Sequence, residues 1–291
     1  MRFSGRPLAV LAAAIFVFLI VACLAADWVA AVLGVDANEV DLLGRFAPPS
    51  WQHPLGTDDL GRDLLVRLLK GGRISILVGL SAAVIAATLG SALGLVAGYF
   101  GGRFDAFLMR LTDGVIALPL LALLIVLAAI DLTKLGVPLA AAQSPYANLT
   151  RIVLITALFS WTTVARLVRA VTLSLKSRDF VRAAIAMGAP PWRIMLVHVL
   201  PNTISPILVA TALAVGDVIK FESVLSFLGL GIQPPMPSWG NMLTNAQELI
   251  WNAPELALWP GILILVTVAS CGLLADALND WLDPRRRSIR H

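Results

Sequence analysis

The sequence predicts an all-α membrane protein with six transmembrane helices and both termini on the cytoplasmic side. Three observations predict it. The 291 residues are 58% hydrophobic and 14% charged, with a mean hydropathy of +0.86, whereas a soluble chain carries about 25% charged residues. The missing charge is concentrated in long uncharged runs, several of them near the ~20 residues that cross a bilayer. The basic residues are also unevenly placed around those runs. With both ends inside, the cytoplasmic side receives Arg2, Arg6, Arg103, Arg110, Arg166, Arg169, Lys176, Arg178, Arg182, Arg193, Arg285, Arg286, Arg287 and Arg290, well over half of the 22 Lys and Arg, as the positive-inside rule requires.

The first run spans Leu8 to Ala26. Arg2 and Arg6 before it also fit a signal peptide, and Ile20-Val-Ala-Cys23 resembles a lipoprotein cleavage site. Such strings arise readily in an Ala-rich helix, so retention as the first span is expected. The second run, Ile74 to Phe100, has no charge in it. The third is Gly114 to Ile130, the fourth Ile152 to Val168, the fifth Leu200 to Gly216 and the sixth Leu256 to Ala275. Pro119, Pro206 and Pro260 fall in or near these runs, where neighbouring helices satisfy the freed carbonyls. The chain divides into an N-terminal span with its extracytoplasmic segment (1–70), a core of five spans (71–284) holding a cytoplasmic loop (172–200), and a basic tail (285–291).

Gly90, Gly94, Gly98 and Gly102 recur every four residues, a stripe that lets another helix approach closely. Inside the spans no series of Asp, Glu or His offers a proton relay. Asp217 has Lys220 three residues on, within reach on a helix. No Gly-Lys dipeptide exists, so the chain lacks a phosphate-binding P-loop. Cys23 and Cys271 lie in apolar runs and His53, His198 and His291 are scattered, which gives neither a disulfide framework nor a metal site. The pattern is that of a non-catalytic transport protein whose energy comes from elsewhere. A secondary transporter, which would show inverted repeats or intramembrane charges, is the distant alternative.

The cytoplasmic loop carries a short helix signal. Ser177 suits an N-cap and Asp179 the first turn. Phe180, Ala183, Ala184 and Met187 are spaced as one apolar face. Gly188 suits the left-handed closing residue, and Pro190-Pro191, followed by Trp192, stops the helix. Such a face fits the lipid headgroups or a groove on another protein.

The order Ala183-Ala184, Gly188 and then Leu200-Pro-Asn202 resembles the "EAA" loop of ABC-importer permeases, the coupling helix that docks on the ATP-binding subunit. Arg182 stands where that family has its leading Glu, which puts that carboxylate's contact in doubt and leaves the packing residues in place. His53-Pro-Leu-Gly-Thr-Asp-Asp-Leu-Gly-Arg-Asp63, Gly98-Tyr-Phe-Gly-Gly102, Asp113 to Pro119, and Glu222 to Pro235 with Pro237-Ser-Trp-Gly240 resemble the corresponding segments of peptide/nickel permeases. The likeness is to the second, C-type permease of a dipeptide/oligopeptide importer.

The resemblance implies a type I importer in a bacterial or archaeal inner membrane. Its partners would be a homologous second permease, two ATP-binding subunits holding the ATP and Mg that this chain does not bind, and an extracytoplasmic substrate-binding protein. Cargo would be di- or oligopeptides, with nickel chelates, glutathione or peptide-like antibiotics as alternatives. Residues 221–232 are apolar but too short to span, and either extend the fifth helix or re-enter. Asp217, Glu222, Phe227, Gln233 and Trp239 are the candidates for an outer gate or pathway.

Overall fold

All but one of the uncharged runs become helices that outgrow them at one end or both. A computed structural model of the protein describes residues 5–142, 144–244 and 246–282; Arg2 and the basic tail at 285–291 lie outside the described residues. The main helices are α1 (Gly5–Leu24), α2 (Ala26–Leu33), α3 (Leu64–Phe100), α4 (Gly102–Ala117), α5 (Leu120–Ala128), α6 (Pro145–Lys176), α7 (Asp179–Ala186), α8 (Leu200–Phe227) and α9 (Glu255–Leu282). α8 is preceded without a break by a turn at Pro191–Arg193 and a π-helical stretch, Ile194–Val199. Short helices lie at Leu139–Ala142 and Ala246–Leu249, 3-10 turns at Leu42–Gly44, Leu132–Leu135 and Asn241–Leu243, and an isolated bridge joins Thr57 and Asp63.

Among the described residues five helical units, within α1, α3, α6, residues 191–227 and α9, are long and apolar enough to cross a membrane. The expected third span is not a continuous helix. α4 and α5 together are long and apolar enough for a sixth span, but they meet at an angle of 85°. The cause is Pro119, which pushes the residue before it out of the helical region: Leu118 is extended, at φ −77° and ψ 144°. The other spans run beyond their apolar cores because polar caps hold their ends. Asp63 accepts from the Val66 amide (2.7 Å) at the start of α3, and Ser144 accepts from the Ala147 amide (3.1 Å) at the start of α6.

α3 and α6 form the tightest seam, and the glycine stripe makes it possible. A Cβ on Gly90, Gly94 or Gly98 would lie within 2.6–2.9 Å of α6 atoms at Trp161, Val164, Ala165, Val168, Arg169 and Thr172. Gly102 does not share in this; it opens α4 with φ +63° and nothing near it. α8 packs on α3, with Gly79 against Ile219, and on α9, with Gly216 against Val268 and Cys271. α1 lies on α9 and α3.

Residues 221–232 extend the fifth span and then leave it. α8 runs to Phe227 and is closed by Gly229 (φ +74°), with Gly229 N donating to Ser226 O (3.0 Å) and Leu230 N to Leu225 O (2.9 Å), the paired bonds of a Schellman closure.

Candidate coupling and gating sites

Two clusters sit at opposite ends of α3. The first is built on α7. Ser177 is not its N-cap: it ends α6, its hydroxyl donating to Ser174 O (2.9 Å), and the N-cap position is Arg178, without a side-chain bond. Asp179 opens the helix. The far end of α7 closes as its sequence demands. Gly188 has φ +77°, Gly188 N donates to Ile185 O (2.9 Å) and Ala189 N to Ala184 O (3.1 Å), again a Schellman pair.

The apolar residues of α7 divide between two faces rather than sharing one. Val181 and Ala184 are buried in a cluster with Leu95 of α3, Val164 and Val168 of α6, and Ile194, Val199 and Ala210 on the way into α8. Ala184 therefore faces the protein's own core. Phe180, Ala183 and Met187, at i, i+3 and i+7, point outward with Arg182 and Trp192; Met187 is 80% and Trp192 61% exposed. This hook, residues 178–193, is braced by Lys176, whose ammonium donates to Tyr99 O (2.6 Å) and lies over the Tyr99 ring. The π stretch that follows has a local cause. Pro201 has no N–H for the Val197 carbonyl, and Leu200 N donates five residues back to Met195 O.

The second cluster ties α3, α8 and the loop beyond α8. Glu222 is fully buried, accepting from Ser75 (3.1 Å) on α3 and from Ser226 (2.7 Å) one turn on. Ser226 Oγ also accepts from Ile232 N (3.1 Å). Trp239, likewise 0% exposed, donates its indole N–H to Leu68 O (2.9 Å) and its amide to Ser75 Oγ (3.2 Å). Of the five predicted gate or pathway residues, Glu222 and Trp239 thus meet around Ser75 as buried structure. Phe227 is half-buried, Gln233 is exposed and bonds Gly229 O (2.6 Å), and Asp217 lies on another face of α8, paired with Lys220 at 2.7 Å. Ser75 and Val181 escaped the sequence reading. A serine 147 positions from its partner leaves no local pattern, and Val181 is out of step with the outward face.

Beside this cluster the 53–63 segment folds into a tight knot. Asp58 accepts from the Leu60 and Arg62 amides (2.9 Å each) and from the guanidinium groups of Arg62 (2.8 Å) and buried Arg67 (3.2 Å). His53 Nδ1 lies 3.0 Å from Asp63. Nearby, a hydrogen bond from Arg73 and its charge hold the Asp27 carboxyl below the usual carboxylate range, and bonds from Thr133 do the same for Asp131.

Comparison with known proteins places this architecture. Residues 90–288 match the family described as binding-protein-dependent transport system inner membrane component. The chain belongs to that family. The permease is 39% identical to the glutathione transport system permease of Pectobacterium atrosepticum, over 99% of this chain and 90% of that protein. It is 40% identical to the di/tripeptide transport system permease of Pseudomonas aeruginosa (94% and 87%) and 36% identical to the oligopeptide transport system permease of Haemophilus influenzae (98% and 87%). The permease is therefore a non-catalytic, multi-pass component of an ABC transport system in the cytoplasmic membrane, working with partner subunits.

Proposed function

We propose that this permease carries short peptides inward, as the C-type member of a pair of homologous permeases, and that an ATP-binding subunit grips the hook at residues 178–193. One observation carries the docking assignment: α7 has two apolar faces. Val181 and Ala184 are already used by the chain's own core, while Phe180, Ala183 and Met187 face outward beside Trp192. A two-turn helix with one face anchored and the other presented fits a groove on a second protein. ATP and Mg would be bound there, by the two partner ATPases. The basic residues gathered at this end of the bundle, Arg103, Arg110, Arg178, Arg182 and Arg193, support placing the hook in the cytoplasm. The 53–63 knot and Trp239 would then lie on the side where a substrate-binding protein delivers cargo.

The peptide assignment rests on the named cargoes of the relatives, two peptide systems and a glutathione system; glutathione is itself a tripeptide. Purification of the tagged permease is expected to recover a second permease and an ATPase pair. Met187→Cys is expected to cross-link to that ATPase. Uptake by the reconstituted complex should be competed by dipeptides more strongly than by nickel chelates. Recovery of the permease without an ATPase, or no cross-link from Met187 or Trp192 positions, refutes the docking assignment; competition by nickel chelates alone refutes the cargo.

A further inference from the structure

Two ion pairs lie open on a bundle that must meet lipid. Arg166 of α6 donates to Asp113 of α4 (2.8 Å), with side chains 48% and 57% exposed, and Lys220 pairs with Asp217 of α8 (2.7 Å) at 53% and 55%. Their depth can be read against α3, whose uncharged residues 74–100 extend roughly 40 Å at about 1.5 Å per residue. A hydrocarbon core of roughly 30 Å, placed anywhere along that run, encloses the levels of residues 81–93. Arg166 lies between the Gly90 and Gly94 contacts, since Val164 and Ala165 meet Gly90 while Ala165 and Val168 meet Gly94. Asp217 is level with Gly79, between Val215 and Ile219, near the edge of the same zone. The break between α4 and α5 is equally deep: Met109 and Leu108 of α4 pack with Trp161, and Leu120 of α5 with Phe159. Leu118 at the break is 48% exposed.

These features share one side. Phe159 and Phe221 rest against α5. Thr163 and Arg166 follow Phe159 by four and seven residues on α6, and Asp217 precedes Phe221 by four on α8, so each lies on its helix's α5-facing side. α5 meets that side at Ile155 and Phe159 of α6 and at Phe221 and Leu225 of α8. Past the 85° bend α4 touches α6 again through Asp113 and Arg166, and Thr163, Arg166 and Asp217 remain exposed. Charged side chains and broken backbone are tolerated at this depth only against protein or water. A dry contact with another subunit would strip four charges of solvent, a desolvation cost that their pairing does not offset.

We propose that this uncovered surface, floored by Thr163 and Arg166 of α6 and Asp217 of α8 and edged by Asp113 and the Leu118-Pro119 break, is the wall of the aqueous translocation pathway. Its two signs of charge suit the main chain and termini of a short zwitterionic peptide. That identity rests on the peptide reading above; the wetness of the wall does not.

Thiol accessibility in the assembled transporter, reconstituted in lipid, tests it. Thr163→Cys and Asp217→Cys are compared with Leu154→Cys, an exposed apolar position (55%) on another face of α6; native Cys23 and Cys271 are buried at 3% each. A membrane-impermeant sulfonated methanethiosulfonate is expected to label the first two about tenfold or more faster than the third, in the nucleotide-free or vanadate-trapped state, because only a hydrated thiol ionises. Should a variant not assemble, Leu118→Cys at the break carries the same test. Labelling only by a lipophilic maleimide would mean lipid contact, and labelling only when the second permease is absent would mean a subunit interface; either overturns the proposal. Binding protein loaded with alanyl-alanine is expected to slow the labelling. Fast labelling that this peptide leaves unchanged removes the peptide reading while the wet wall stands.

Discussion

Replacement of Gly188 separates conformational strain from bulk at the hook. The residue sits at φ +77° with nothing within 4 Å of an added Cβ, so within this chain a side chain has room and its cost is conformational. An ordinary L-residue in the left-handed region costs about 1–2 kcal/mol, and a β-branched one lies at the unfavourable end. In Gly188→Val that cost falls on the closure formed by Gly188 N to Ile185 O and Ala189 N to Ala184 O. A loss of this size shifts the closed-to-open ratio about 5–30-fold. Hydrogen exchange of the assembled transporter should therefore show the Gly188 and Ala189 amides exchanging faster by that factor, with peptide uptake per ATP falling alongside. Gly188→Asn, whose side chain tolerates this φ, should remain near the wild type in exchange. Gly188→Asp should also keep the closure, yet is expected to uncouple uptake from ATP hydrolysis, because it places a carboxylate on the surface proposed to dock. Unchanged exchange in Gly188→Val, or equal loss in Val and Asn, refutes the strain argument.

Three further outcomes follow from the packing. Gly94→Val places a branched side chain where even a Cβ would be 2.6 Å from Ala165 O; overpacking of about 1–3 kcal/mol should lower the melting temperature of the detergent-solubilised complex, whereas Gly114→Val, in open space, should not. Glu222→Gln leaves one of the Ser75 and Ser226 hydroxyls without its acceptor, a buried loss of about 1–3 kcal/mol, and thermal unfolding should detect it more strongly than for Gln233→Glu at the exposed neighbour. Arg67→Met removes one of the two cations on buried Asp58, leaving Arg62 in place, and the bond to Ala37 O (3.0 Å). Losing a buried charged hydrogen bond costs about 1.5–3 kcal/mol, so limited proteolysis should cut within residues 37–62 that resist cleavage in the wild type.

The helical class and the approximate places of the spans were legible because hydropathy acts locally. The Gly188 closure and the spacing of Gly90, Gly94 and Gly98 were legible for the same reason: each is decided within one or two turns. What was illegible depends on distant partners. Periodicity grouped Ala184 with Phe180, Ala183 and Met187, and only the arrival of Leu95, Val168 and Val199 from three other segments shows that Ala184 faces inward. Hydropathy averaged across Pro119 and returned one span where the backbone turns 85°. Glu222 and Trp239 read as candidates for an outer gate or pathway, because nothing near them in sequence announces Ser75 or Leu68.

The two clusters constrain how force on the hook can travel. α7 has its own core contacts with α3, α6 and the entry to α8 through Val181 and Ala184, so an ATPase that shifts α7 must shift the near ends of those three helices together. At the other end Glu222, Ser75 and Trp239 pin α3 to α8 through buried hydrogen bonds. Helices driven at one end and pinned at the other pivot rather than slide. The broken α4–α5 unit responds differently: α4 is held on α6 by the ion pairs Arg169–Asp105 and Arg166–Asp113 and by Leu108 and Met109 against Trp161, while α5 rests on α6 and α8 beyond the break. A pivot of α6 against α8 therefore acts on the Leu118-Pro119 joint, where no helical hydrogen bond has to break. The motion would open or close the surface between Thr163 and Asp217 while leaving the Trp239 end in place.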